Sequence, residues 1–303
     1  MTHDRDRLCA LIAEEIARPV PPEVATLADA ARARHERGGG VLAVLAYGST
    51  LRDATPEESL VDLYVLTTDL AAVSPRLAAR LGCRLVPPNV HYTEAGYGGR
   101  TWRAKHAVLP LDLFARKMRP DVSNPYFWAR FSQPCRLVWS RDDAARKAVI
   151  DALAQAVETM LEAGLSVARP GDGWQEIWTR ALEATYATEL RPESASRAAL
   201  IVERNAGWCR ETARAVLGED FAVTAETPRP AIRWRLRVLA GKALSILRLA
   251  KAAFTFTGGA EYIAWKIERH SGVRVELKPW QKRHPLLAAL WLLPGLLRRG
   301  AIR

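Results

Sequence analysis

Residues 46–69 read AYGSTLRDATPEESLVDLYVLTTD, and the reading of this stretch decides the fold. An apolar run, VLAVLAY (41–47), ends at Gly48-Ser49, and Asp62 then stands early in a second apolar run, LVDLYVLTT (60–68). Both runs are short, apolar and partly β-branched, the pattern of buried strands. Period-two alternation puts Asp62 and Tyr64 on one face of the second strand.

A Gly-Ser turn between two strands can grip a phosphate chain. Glycine lets the backbone N–H groups approach closely, and serine adds a hydroxyl. A carboxylate on the neighbouring strand can hold Mg²⁺ against the same phosphates. Gly48, Ser49 and Asp62 have the order and separation for nucleotidyl transfer from a triphosphate. Two residues after Asp62, where a second carboxylate is expected, stands Tyr64. A phenol with a pKa of about 10 is a poor Mg²⁺ ligand at neutral pH. Asp53, Glu57, Glu58 and Asp69 are the nearby acids in sequence.

Outward from this stretch, the first forty residues read as two helices, split at RPVPPE and closed by Gly38-Gly39-Gly40. LAAVSPRLAARLG (70–82) reads as helical, with further strands near CRLVPPNVHY and TWRAKHAVLP. This describes a small mixed α/β (α+β) sheet ending near residue 140. From 141 the chain reads as helical, over 141–165, 173–190 and 196–217. TAETPRP (224–230) is a linker candidate, followed by basic helices over 231–256 and 259–270 and an apolar one over 283–299. The expected organisation is a catalytic unit over 1–140, a helical unit over 141–226 and a basic tail over 227–303. Trp128, Trp174, Trp178 and Trp208, at helical positions, read as core.

The chain has 303 residues, 49% hydrophobic and 25% charged, enough to bury a core without disulfides. Its four widely spaced cysteines read as reduced, in a cytosol-like compartment, and its six histidines show no metal-ligand spacing. The net charge of +11 is unevenly placed: residues 227–303 hold 16 Lys and Arg against three acids, and the rest is nearly neutral. Such a tail seeks a polyanion. On a helical wheel, Arg233, Arg237, Arg248 and Lys251 form one stripe, with Ile232, Leu236, Leu239, Ile246 and Leu247 on an adjoining flank. A basic amphipathic helix of this kind fits an anionic bilayer surface. Nucleic acid is disfavoured by the neutral body and the lack of a recognised fold for it. MTHDRDRLCALIAEEIARPV carries acids that oppose a signal or transit peptide. The longest apolar run, PLLAALWLLPGLL (285–297), is shorter than the roughly 18–20 residues that span a bilayer.

Tyr47-Gly48-Ser49, Val61-Asp62-Leu63-Tyr64 and Asp69 together resemble the motif of the phosphatidate cytidylyltransferases of the mitochondrial translocator assembly and maintenance family. That family also lacks an acid two residues after its first Asp and has one at the strand's end. Further segments follow in the family's order. PNVHY (88–92) is similar to a strand with paired Tyr residues, His91 replacing the first. WRAKHAVLPLDLF (102–114) matches a Lys-Tyr-Gly-Val-Ile strand at Lys105 and Val108, but not at His106 or Ala107. YFWARFSQPCRLV (126–138) matches at Tyr126, Arg130 and Pro134, with Gln133 in place of a Lys. ATYATELRPE (184–193) resembles a Ser-Tyr-x-Gly-Asp-x-Arg motif through Tyr186, Glu189 and Arg191. KAAFTFTGGAEY (251–262) is more loosely similar to a Lys-Gly-Ile-x-Thr-Ala-Gly stretch. The Ala-, Arg- and Gly-rich usage fits a bacterial relative.

The resemblance implies a nucleotidyltransferase-like fold and transfer of CMP from CTP to phosphatidic acid, a step of phospholipid biosynthesis. It implies Mg²⁺ held by Asp62 and Asp69, with Lys105 and Arg130 offsetting charge. Tyr47, Gly48, Ser49, Lys105, Arg130, Tyr186, Glu189 and Arg191 are the implied nucleotide-binding set. The expected place is the cytoplasm, peripheral on the inner face of the membrane. The alternatives are a nucleotidyltransferase with a soluble acceptor and a catalytically silent lipid-surface or scaffold protein.

Overall fold

The two apolar runs that flank Gly48 become neighbouring strands, β1 (Val41–Tyr47) and β2 (Leu60–Thr67). A computed structural model describes residues 4–48, 60–189, 195–219, 221–224 and 231–255. Before β1 come α1 (Arg5–Ile16) and α2 (Pro22–His35). Asp4 caps α1 by accepting from the Arg7 N–H at 2.9 Å, and Pro22 opens α2, where a missing N–H costs no helical bond.

After β2 the chain forms α3 (Leu70–Val73), α4 (Leu77–Leu85), β3 (Asn89–Tyr97) and β4 (Arg100–Pro110). The single helix expected over 70–82 is broken at Ser74-Pro75, because proline pushes the residue before it out of helical conformation. The strand expected near Cys83 starts only at Asn89, since 83–85 complete α4. Then follow α5 (Leu111–Arg116), α6 (Trp128–Phe131) and β5 (Cys135–Ser140).

The five strands lie in the order β3-β4-β2-β1-β5. β1 pairs antiparallel with both β2 and β5, β2 pairs parallel with β4, and β3 pairs antiparallel with β4. The sheet is mixed, as expected. α2 packs on the face that carries His91 and His106. The other face carries Tyr64, whose ring meets Phe114 of α5 and Phe131 of α6.

The helical portion is α7 (Asp143–Leu165), α8 (Trp174–Tyr186), α9 (Ala195–Arg204), α10 (Ala206–Leu217) and α11 (Ala231–Thr255). The helix expected over 196–217 is two helices parted at Asn205. One continuous cluster of buried side chains runs from Leu8 to Val223, so sheet and helices share a core across residue 140. Trp128 and Trp178 are fully enclosed in it; the Trp178 indole N–H donates to the Cys209 carbonyl at 3.0 Å and that of Trp208 to the Ser132 carbonyl at 2.8 Å. All four cysteines are free, and three are buried. The helices expected over 259–270 and 283–299 lie outside the described residues, as does most of the linker candidate. Among the described residues no helix is long and apolar enough to cross a membrane.

Candidate active site

Three strands bring three side chains into one row. Tyr47 on β1, Asp62 on β2 and Lys105 on β4 are direct register partners. Asp62 Oδ1 lies 3.4 Å from Lys105 Nζ, and both side chains are part-exposed. Gly48 follows at the end of β1 with φ +96°, a conformation that side-chain-bearing residues rarely adopt. A Cβ placed there would stand 3.6 Å from Asp62 Oδ2, so turn and carboxylate adjoin.

Tyr64, one pleat along from Asp62, has no exposed surface. Its ring packs edge-on against Phe131 with centroids 4.8 Å apart, and also meets Tyr47, Phe114 and Phe127. Burial holds its phenol well above the ordinary range. Tyr64 is therefore the aromatic floor of the site, and its neutral hydroxyl is no metal ligand.

Arg130, on the single-turn α6, stands over this floor. Its guanidinium carbon is 5.4 Å from the centre of the Tyr47 ring and 4.2 Å from that of Tyr126. Its Nη1 is buried with no hydrogen-bond partner. Asp62, Gly48, Tyr47 and Arg130 line one cleft of about 300 Å³, together with Tyr126, Tyr186, Glu189, Arg197, Ser245 and Arg248. Burial pushes the Tyr126 phenol up, but Arg130, the Tyr64 hydroxyl, Arg248 and Lys105 outweigh it and bring the pKa to about 8.

Most of the residues singled out in sequence thus converge. Tyr47, Gly48, Asp62, Arg130, Tyr186 and Glu189 line the cleft, and Lys105 flanks Asp62. Asp69 does not join them. It caps α3, its Oδ1 accepting from the Ala71 and Ala72 N–H groups at 2.7 and 2.9 Å. Asp62 stands near the start of β2 and Asp69 just beyond its end, about 20 Å away at the strand rise of roughly 3.3 Å per residue. The two cannot share an ion. Ser49 and Arg191 lie outside the described residues.

The residues fit Mg²⁺ through one protein ligand. Asp62 Oδ1 is buried and accepts no hydrogen bond, with the Lys105 ammonium 3.4 Å away as its charge partner. Mg²⁺ is commonly held by one or two carboxylates with substrate phosphates and water completing its shell. Among the described residues no group of three or more His, Cys, Asp or Glu side chains is arranged to hold a metal by itself.

His91 lies on the opposite face, away from the cleft. It clusters with His35 and His106, with all ring centroids 5.3 Å apart, and His35 Nε2 is 3.2 Å from His106 Nε2. Burial first, and then neighbouring charge, lowers these pKa values, to about 4 for His35, about 3 for His91 and well below the usual value for His106.

Arg237, Arg248 and Lys251 of the basic stripe of α11 face the protein rather than solvent, reversing the orientation expected for a bilayer-facing stripe. Arg237 is buried and donates to the Pro120 carbonyl at 2.7 Å. Arg248 donates through Nε to the Pro87 carbonyl at 3.2 Å. Lys251 donates to the carbonyls of Val86 and Pro88 and to Asn89 Oδ1. Long basic side chains can bury their stems and still satisfy their heads on loop carbonyls. The apolar flank is what faces outward: Leu236, Leu239, Ile246 and Leu247 are each more than half exposed. Tyr126, Arg197, Ser245 and Arg248 are among the cleft residues that sequence reasoning left out of the site. Tyr126 stood inside a quoted motif, whereas nothing in the sequence placed Arg248 beside it.

No protein-family model matches the chain, and no curated protein matches its sequence. Among solved structures it is similar to the crystal structure of a nucleotidyltransferase-like protein from Exiguobacterium sibiricum 255-15, at 14% identity over 92% of this chain and 93% of that one, with a TM-score of 0.28.

Proposed function

We propose that the chain is a nucleotidyltransferase that transfers CMP from CTP to phosphatidate, giving CDP-diacylglycerol and pyrophosphate. The observation that carries this reading is the row Tyr47–Asp62–Lys105 beside the positive-φ Gly48, opening into a cleft that holds the buried Nη1 of Arg130. The Gly48 turn cradles the β- and γ-phosphates. Lys105 and Arg130 offset charge that develops around the α-phosphorus. Asp62 would hold Mg²⁺, which would supply positive charge to neutralise the triphosphate. A phosphate oxygen of the acceptor forms a bond to the α-phosphorus as the bond to the bridging oxygen of the β-phosphate breaks, and pyrophosphate leaves. The attacking phosphate is already ionised, so no strong general base is needed.

Outward-facing side chains support the lipid acceptor. α4 exposes Leu77, Leu81 and Leu85 at helical spacing, as α11 exposes its apolar flank. The two helices meet where Lys251 approaches the Gly82 carbonyl. Neither α11 nor the stretch from Leu70 to Pro88 contains an acid, and Arg76, Arg84, Arg235 and Lys242 are exposed there. An apolar surface with only basic charge fits the inner face of an anionic membrane, where each Lys or Arg contributes roughly 1 kcal/mol. A soluble phosphate acceptor is the second reading, favoured by the inward turn of Arg237, Arg248 and Lys251.

Pure protein incubated with CTP, Mg²⁺ and phosphatidate vesicles tests the reading. CDP-diacylglycerol is expected from CTP in preference to other triphosphates, and not from Asp62→Asn. Transfer to a soluble phosphomonoester but not to phosphatidate selects the second reading. The absence of transfer to either, with triphosphate binding intact, leaves a silent fold.

A further inference from the structure

The inner stripe of α11 reaches the cleft itself. Lys251 anchors the helix on the turn before β3, through the carbonyls of Val86 and Pro88 (the latter at 2.6 Å) and Asn89 Oδ1 at 3.2 Å. One turn earlier, Arg248 is held by the Pro87 carbonyl, and its guanidinium carbon lies 3.9 Å from the centre of the Tyr126 ring. Arg130 lies 4.2 Å from the same ring. Two guanidinium groups thus flank one phenol, and among the described residues neither forms an ion pair, although the charge of Glu189 acts on Arg248.

Burying a cation is costly unless an opposite charge meets it. The cleft carries three arginines, Arg130, Arg197 and Arg248, against Asp62 and Glu189, and Asp62 already faces Lys105. Arg130 Nη1 is buried and unmet. Guanidinium groups offer planar pairs of donors that match a phosphate's oxygens.

We infer that Arg248 and Arg130 form a second phosphate subsite, which holds the phosphomonoester of the acceptor while the Gly48–Asp62 end holds the nucleotide. This rests on the nucleotidyltransferase reading. Gly48 adjoins Asp62, whereas Arg248 packs on the Tyr126 ring, with Arg130 over both the Tyr47 and Tyr126 rings. In-line displacement requires the acceptor phosphate to enter opposite the leaving pyrophosphate, which calls for a phosphate site separate from the one at Gly48. The tail helix then supplies a substrate-binding residue in addition to a surface.

The test is titration of the full-length chain with inorganic phosphate, with and without saturating CTP. Phosphate is expected to bind in both conditions, at least tenfold more weakly to Arg248→Gln, with CTP affinity changed less than twofold. Arg248→Lys, which keeps a cation, is expected to fall between. In turnover, Arg248→Gln raises KM for the acceptor more than it lowers kcat, and phosphate competes with the acceptor but not with CTP. Competition by both short-chain phosphatidate and glycerol 3-phosphate marks recognition of the phosphomonoester alone; competition by the lipid only assigns the subsite to a lipid headgroup. Loss of phosphate binding when CTP is present overturns the inference, as does an Arg248 variant that weakens CTP rather than phosphate. If Arg248→Gln does not fold, the wild-type titration with CTP and the Arg248→Lys variant decide. A chain that transfers to no acceptor refutes the nucleotidyltransferase reading, while the phosphate titration still decides the subsite.

Discussion

Asp62 and Lys105 stand in direct register on parallel neighbouring strands, with Oδ1 and Nζ 3.4 Å apart. A part-exposed pair like this contributes about 0–1 kcal/mol to folding, so its importance lies in placing opposite charges side by side at the mouth of the cleft. Asp62→Asn is expected to lower transfer by at least about 100-fold and leave the thermal midpoint nearly unchanged. Rate measurements paired with calorimetric melting check both halves.

Gly48 has φ +96°, and what constrains it is conformation, since a Cβ would meet Asp62 only at ordinary contact distance. Gly48→Ala is expected to cost on the order of 1–3 kcal/mol and to reduce triphosphate affinity. Denaturant unfolding and equilibrium titration read the two effects separately. Unchanged affinity and stability together refute the role given to this turn.

Gly241 is the close-approach point of α11, where an added Cβ would stand 2.7 Å from the Thr188 carbonyl oxygen. The neighbour is backbone and cannot rotate away. Gly241→Ala is expected to destabilise by about 1–3 kcal/mol and to raise KM for the acceptor by displacing Arg248. Unfolding curves and acceptor kinetics check it.

His35 and His91 titrate at about 4 and about 3 in the folded chain, against about 6.5 unfolded. Between these values the unfolded chain binds more protons, so stability is full above about pH 7 and falls on acidification through 6.5 towards 4. The loss is on the order of a few kcal/mol. Chemical unfolding at stepped pH should show this slope, and His91→Phe should flatten it.

The exposed leucines of α4 and α11 make a lipid-facing surface testable without touching the cleft. Leu81→Glu with Leu239→Glu is expected to reduce sedimentation with phosphatidate-containing vesicles at least about tenfold, equivalent to 1.4 kcal/mol. Turnover of a soluble acceptor should be retained. Undiminished vesicle binding would remove this surface from the proposal.

Much of this architecture was legible in the sequence for physical reasons. β1 and β2 are buried runs bounded by a turn, and Gly48 and Asp62 are tied to the strand ends, so their meeting follows from the pairing itself. Asp69 entered through the family resemblance, as the acid at the strand's end, and seven residues of extended chain put that end about 20 Å from Asp62. The histidine cluster gathers one side chain from each of α2, β3 and β4, and no local spacing announces it. For α11 a helical wheel separates two flanks without saying which one meets protein. Lysine and arginine had stems long enough to reach the carbonyls around Pro87, and the apolar flank was left outside.

The anchoring of α11 by Lys251 has a consequence for dissecting the chain. Cutting before residue 231 would remove the outward leucines and, with them, Arg248, Ser245 and one wall of the cleft. A truncated chain that lost both vesicle binding and turnover would therefore say nothing about whether the two depend on each other. Only substitutions that divide α11 lengthwise, outer flank from inner stripe, keep adhesion and chemistry separable.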